Sequence, residues 1–157
     1  LIKHIDDLVL GRPVEVPIYD FVHHRRQPNT TSLTPKPILI VEGILLFDDA
    51  GLRQRFDIQL YVDTPADIRV LRRIRRDMEL RGRSFEDTRQ QYYATVRPMH
   101  EAFVEPSRRH ADLIIPEGGS NRVAIGVIVD KIRGELQRRQ RSAARRRRVR
   151  TGRTPKV

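Results

Sequence analysis

The chain is 157 residues long with 38% hydrophobic content and no cysteine, which is the size of one ordinary domain with material for a single core. This excludes a disulfide-stapled scaffold and a thiolate metal centre, and it suits a reducing compartment, so a cytoplasmic protein is expected. A formal charge of +11 suggests nucleic acid, yet from Leu136 onward there are nine Arg and one Lys with no acid, leaving 21 basic and 20 acidic side chains in residues 1–135. The charge belongs to a tail, and the body is nearly neutral.

The sequence opens Leu1-Ile2-Lys3-His4-Ile5 without an initiator Met or a signal-peptide pattern, and reads as a chain entered partway. Leu1, Ile2, Ile5, Leu8 and Val9 share a helical face, with Gly11 as its stop before Pro13. Val14 to Val22 alternates as a strand, in which Pro17 argues for an edge or a bent hairpin. Gln27 to Pro37 reads as a turn-rich connector. Ile38-Leu39-Ile40-Val41 is apolar on successive residues, which suits a strand covered on both faces of a parallel sheet. The apolar stretch from Ile38 to Phe47 is interrupted by Glu42 and falls short of the roughly 20 residues that span a bilayer, so no membrane partner is expected.

A short helix around Leu52 precedes a second strand, Ile58 to Asp63. Thr64-Pro65-Ala66-Asp67 then reads as a helix start, with Thr64 as cap, Pro65 at the first helical position and an end near Leu80. Ser84-Phe85-Glu86-Asp87 is a second cap signature, opening a helix that Pro98 kinks or ends near Arg97. Ala111 to Pro116 is a third strand. Val123, Ala124, Val127, Ile128 and Ile132 define an amphipathic final helix, and an Arg-rich tail over 137–157 follows that the composition marks as disordered. Strand and helix alternate throughout residues 1–136, which predicts an α/β sheet wound with helices.

Three features carry chemistry. Glu42 closes an apolar strand, at the sheet end where ligands of open α/β folds collect; it can hold Mg²⁺ directly or through water, or be satisfied by a neighbouring Arg or backbone amides. In the helix from Thr64, Ile68, Leu71, Ile74 and Met78 take the apolar stripe and leave Arg69, Arg73 and Arg76 in line at i, i+4 and i+7, where like charges repel. Such a run is often a solvated face, but Arg81-Gly82-Arg83, with a flexible Gly between two guanidinium groups, suits a mobile clamp on phosphate oxygens. Tyr19 and Phe21 share one face of an extended segment beside His23 and His24, and such a group can stack on a flat heterocycle or simply pack in a hairpin.

Together these blocks resemble the uridine kinase family. The resemblance rests on Pro17-Ile18-Tyr19-Asp20-Phe21-Val22, Ile40-Val41-Glu42-Gly43-Ile44-Leu45, Val62-Asp63-Thr64-Pro65-Ala66-Asp67, Arg72-Arg73-Ile74-Arg75-Arg76-Asp77 and Arg81-Gly82-Arg83, and continues to Asn121-Arg122-Val123-Ala124-Ile125. It implies a P-loop NTPase-like parallel sheet with a small β-hairpin nucleoside-binding element. It also implies transfer of the γ-phosphate of ATP or GTP to the 5′-hydroxyl of uridine or cytidine, with Mg²⁺, in a tetrameric enzyme of pyrimidine salvage. By the same resemblance Tyr19, Phe21 and His24 hold the base, Arg83 contacts it, Arg73 holds the ribose and Gln91 lies on the nucleoside side. Arg76 and Arg81 become lid arginines facing the triphosphate, and Glu42 the acid near Mg²⁺.

The departures are equally specific. No Gly-x-x-x-x-Gly-Lys-Ser/Thr occurs in the chain, and the first strand, the P-loop, the catalytic Asp and the ribose-binding acid of the family are expected upstream of Leu1. Asp20, Asp63 and Asp67 match other roles. The chain alone is therefore expected to be inactive and to expose apolar strand surface and unpaired edges. Two other readings stand beside this one. A phosphoribulokinase-like kinase would share the sheet and Arg lid, but needs extra cations in place of the Tyr19, Phe21 and His24 group. A nucleic-acid-binding protein would act through the tail from Arg138 to Lys156, which at the least suits nonspecific polyanion contact.

Overall fold

The computed structural model of the chain describes residues 1–23 and 25–151. The expectations for His24 and for residues 152–157 of the tail lie outside the described residues.

Helix α1 (Ile2–Val9) forms where the apolar spacing predicts it and buries Ile5 and Leu8. It lies on the short helix α2 (Ala50–Arg53), which Asp49 caps by accepting the Leu52 N–H at 3.1 Å. The approach is close enough that a Cβ on Gly51 would meet the Ile2 Cδ1 at 3.1 Å. Arg55 locks the pair with a two-pronged grip on Asp6, at 2.6 and 2.9 Å. Ile5, Leu8, Val14, Leu52 and Ile115 are the buried apolar side chains among the described residues, so the core sits around this contact.

Strands β1 (Val14–Asp20) and β2 (Arg25–Leu33) form an antiparallel hairpin whose register breaks between Pro17 and Tyr19. The bend follows from Pro17, which has no N–H to give to the ladder. The connector expected from Gln27 is instead strand as far as Leu33. Every β2 residue is exposed, so no apolar alternation announces it; pairing with β1 and a 2.6 Å bond from the Thr30 hydroxyl to Glu15 hold it.

Strands β3 (Leu60–Val62) and β4 (Leu113–Ile115) pair in parallel, as expected for an α/β sheet. Asp112 fixes the register: its carboxylate accepts the Gln59 N–H at 2.7 Å and its own N–H donates to the Gln59 carbonyl at 2.8 Å. The strand expected from Ile38 to Val41 is absent. Residues 38–41 are irregular, and Ile40 is 78% exposed. An apolar run becomes a parallel strand only when neighbours take its N–H and C=O groups, and none does among the described residues.

Helix α3 (Ala66–Arg81) starts one position later than predicted: Pro65 is the cap, and Thr64 makes no capping bond. Its apolar stripe is covered only in part, at Ile74. Leu71 is 63% exposed, Ile68 and Met78 are exposed, and the inward face carries Asp77 and the half-buried Arg73. Charge pairs together with Ile74 occupy the side of α3 that faces in. At its end Gly82 adopts φ 63°, and the N–H groups of Gly82 and Arg83 both reach the Asp77 carbonyl.

Ser84 caps α4 (Phe85–Gln91) through the Asp87 N–H at 3.0 Å, as the cap signature predicts. Pro98 does not end the helical run. The chain widens into π turns at Tyr92–Val96 and His100–Val104, each followed by a short α segment containing a proline, α5 (Arg97–Met99) and α6 (Glu105–Ser107). A proline offers no N–H to the carbonyl four residues back and clashes with it, and a wider turn relieves both faults.

Helix α7 (Arg122–Thr151) begins where Asn121 accepts the Ala124 N–H at 3.0 Å. It crosses the expected 136/137 boundary without a break, so the backbone through Thr151 is helical where a disordered tail is expected. Arginine is a good helix former, and Glu135 pairs with Arg138 and Arg139 at 2.8 and 3.2 Å. Val123 and Val127 on its apolar stripe are exposed. Among the described residues no helix is long and apolar enough to cross a membrane.

The left-handed turn at Gly82 leads to a first prediction. A Cβ there meets nothing within 4 Å, so Gly82→Ala acts through backbone strain alone. It should cost about 1 kcal/mol, seen as a thermal midpoint lowered by about 2–4 °C.

Candidate functional site

The site forms where the tip of the β1/β2 hairpin meets the C-terminal half of α3 and the end of α4. At its centre is Asp77, with no exposure to solvent. Its Oδ1 accepts from Arg76 Nε at 2.9 Å and from Arg81 Nη1 at 3.2 Å, with Arg76 Nη2 also at 2.9 Å. On the other side Arg73 Nη2 lies 3.5 Å from Oδ2, too loose for a hydrogen bond, and Oδ2 has no hydrogen-bond partner. A buried carboxylate is costly unless paired, and here guanidinium groups repay the cost while the carboxylate damps their mutual repulsion.

Gln91 on α4 extends the cluster. Its Oε1 accepts from Arg73 Nη2 at 2.8 Å and from Arg83 Nη1. Arg73 is thus held between Asp77 and Gln91, and burial pushes its guanidinium pKa down against the pull of Asp77, with Arg76, Arg83 and Arg81 lowering it further.

The aromatic pair closes the other side. Tyr19 and Phe21 stand edge to face with ring centroids 5.0 Å apart. Arg81 sits over the Phe21 ring, 4.9 Å from its centroid, and so joins hairpin to helix by a cation–π contact. Asp20 shapes the turn after them: its Oδ1 accepts the Val22 and His23 N–H groups, each at 3.0 Å, and its Oδ2 lies 2.8 Å from His23 Nδ1. Two exposed aromatic rings are thereby presented beside cations, an arrangement suited to a flat, hydrogen-bonding ligand that carries or receives anionic groups.

The structure brings together Tyr19, Phe21, Arg73, Arg76, Arg81, Arg83 and Gln91. It does not bring Glu42 to them: Glu42 is exposed on the irregular segment after Val41, in place of the buried strand end expected, and among the described residues no hydrogen bond or ion pair ties it to the cluster. His24 lies outside the described residues. Among the described residues no group of three or more His, Asp or Glu converges as a metal cage. Mg²⁺ keeps several waters and often takes one or two carboxylates plus substrate phosphates, so an accessible single carboxylate such as Glu42 fits it by donor type. The residue that sequence reasoning missed is Asp77. Its signal was available, since it stands four residues after Arg73 and four before Arg81, at the spacing where opposite charges meet on a helix.

Residues 1–124 match the model of the Phosphoribulokinase / Uridine kinase family. The chain belongs to that family. Its α/β architecture, a small parallel sheet with helices, agrees with the membership. The chain is 53% identical over 137 residues to the uridine kinase of Bacillus subtilis (strain 168), covering 87% of this chain and 65% of that one. It is 50% identical over 140 residues to the uridine kinase of Staphylococcus carnosus (strain TM300), covering 89% and 67%. Against the uridine kinase of Streptococcus thermophilus (strain ATCC BAA-491 / LMD-9) the identity is 50% over 137 residues, covering 87% and 65%. The chain thus spans about two thirds of the length of these family members.

The hairpin tip leads to a second prediction. The bond from the His23 N–H, then the His23 ring and the Val22 N–H, hold the Asp20 carboxyl below its ordinary 3.8, at about 2. Because the folded value is depressed, the order it lends the tip is fully present above pH 3.8 and is lost as pH falls through about 2. The amide resonances of Val22 and His23 should titrate with a midpoint near 2. A midpoint at the ordinary carboxylate value would show that Asp20 does not hold the turn.

Proposed function

We propose that this chain carries the nucleoside pocket and arginine lid of a uridine kinase, which transfers the γ-phosphate of a nucleoside triphosphate to the 5′-hydroxyl of uridine or cytidine. One observation carries the reading: an aromatic pair on the hairpin and arginines on α3 meet around one buried carboxylate, with Gln91 of α4 bridging Arg73 and Arg83. Tyr19 and Phe21 stack on the pyrimidine, and Arg83 with Gln91 reads its polar edge. Arg73 holds the ribose. Arg76 and Arg81 keep N–H groups beyond those given to Asp77, and these stabilise negative charge on the phosphoryl oxygens as it shifts in transfer.

In the reaction the 5′-oxygen bonds to the γ-phosphorus, the bond to the bridging oxygen breaks, the nucleoside diphosphate leaves, and the hydroxyl proton passes to a base. Mg²⁺, held in part by Glu42, would neutralise charge on the phosphates. The chain contains no Gly-x-x-x-x-Gly-Lys-Ser/Thr, so in this reading the phosphate-cradling loop, and by the family pattern the base, come from outside these residues. ATP or GTP as donor, pyrimidine salvage, a cytoplasmic setting and a homotetramer belong to the same reading and rest on the family alone.

Two measurements test it. In the intact enzyme Phe21→Ala should weaken uridine binding about tenfold or more by calorimetry, the scale of losing one stacking partner. Unchanged affinity would remove the aromatic pair from the pocket. The 157-residue chain by itself, given uridine, ATP and Mg²⁺, should release no UMP. Clear turnover would mean that the phosphate-binding machinery lies within these residues and has been misassigned.

A further inference from the structure

The Asp77 carboxylate has two unlike sides. Oδ1 is crowded, taking Arg76 at 2.9 Å and Arg81 at 3.2 Å. Oδ2 is slack: it is buried, has no hydrogen bond, and faces Arg73 at 3.5 Å. The arginines differ in the same sense. Arg76, at 44% exposed, is the most open of the set; Arg81 reaches out over Phe21; and Arg73 is braced from behind by Gln91. Oδ1 therefore faces the groups assigned to phosphate, and Oδ2 the group assigned to ribose.

We propose that Asp77 is a positioning residue that couples nucleoside binding to triphosphate binding. The inference rests on the assignment of Arg73 to the ribose side and of Arg76 and Arg81 to the phosphate side. When a triphosphate draws Arg76 and Arg81 toward its own oxygens, they relinquish part of their hold on Oδ1. The carboxylate stays buried and still needs a partner, and Arg73 is the cation left within reach. Asp77 then tightens on Arg73, closing the 3.5 Å gap and fixing the guanidinium that meets the ribose. Beyond their meeting at the 5′-oxygen and the γ-phosphate, the two ligands favour each other through Asp77, and each must strengthen the other's binding by the same factor.

The Asp77 carbonyl adds a second connection. It accepts the N–H groups of both Gly82 and Arg83, so the turn that carries Arg81 and Arg83 is tied to the same residue through its backbone. That tie survives any change of side chain, which separates the effect of the carboxylate from that of the turn.

Titrating uridine into the intact enzyme by calorimetry, with and without Mg²⁺ and a β,γ-imido ATP analogue, tests the inference. In the wild type the analogue should tighten uridine binding about fivefold or more, and in Asp77→Asn that ratio should fall to about one. Asp77→Glu retains the charge, displaces it by one methylene, and should fold even if the Asn variant does not; its ratio should fall about twofold or more. A wild-type ratio in Asp77→Glu, or in a folded Asp77→Asn with a lowered thermal midpoint, would reduce Asp77 to a purely structural role. A wild type that binds uridine without any response to the analogue overturns the coupling but leaves the pocket assignment intact. A wild type that binds no uridine overturns the pocket assignment itself.

Discussion

A carboxylate sealed from water can persist only where cations come to it, and the arrangement of this site follows from that requirement at Asp77. Its oxygens draw Arg73, Arg76 and Arg81 to one side of α3, and its carbonyl takes the N–H groups of Gly82 and Arg83. Without that negative charge, the guanidinium groups of one short stretch would spread apart into solvent, where exposed arginines gain most from hydration. With it they converge, and Arg81 reaches the Phe21 ring across from the helix. The connection between hairpin and helix is thus made by cation–π and hydrogen-bond contacts that depend on geometry, with little apolar area behind them.

The same requirement accounts for the orientation of α3. An amphipathic helix ordinarily turns its apolar stripe inward because burial of each large side chain is worth about 1.5–3 kcal/mol. Here Leu71, Ile68 and Met78 face solvent while Asp77 and Arg73 face in. Removing a partner from a buried ion pair costs about 3–5 kcal/mol, so a cluster of such pairs outweighs a stripe that is covered only at Ile74.

Elements that depend on local chemistry were legible in the sequence. The Ser84 cap and the break at Pro17 both follow from side chains acting on their own backbone. Elements that depend on a distant partner were not. Ile38 to Val41 has the composition of a buried strand but no ladder to join, and β2 has no apolar alternation yet is held because β1 lies beside it. The aromatic pair and the arginines were identified from residue type and family pattern, whereas the carboxylate that organises them was passed over as one acid among many cations. Periodicity that ranks residues by hydropathy discounts a charged residue as an inward-facing one, and here the inward-facing residue is charged.

A site organised by charge behaves differently from one organised by packing. A packed core has one best arrangement, because displacing a methylene by half an ångström forfeits a sizeable part of its contact energy. A carboxylate with more cations around it than it can bond well has several arrangements of similar energy, and the unbonded Oδ2 beside a 3.5 Å pair to Arg73 is the mark of one not yet optimised for every partner. Such a hub can exchange a guanidinium for a ligand phosphate without exposing itself, since at least one cation always remains. For a lid that must admit, hold and release charged ligands in turn, that tolerance is the property required, and a fully satisfied network would forfeit it.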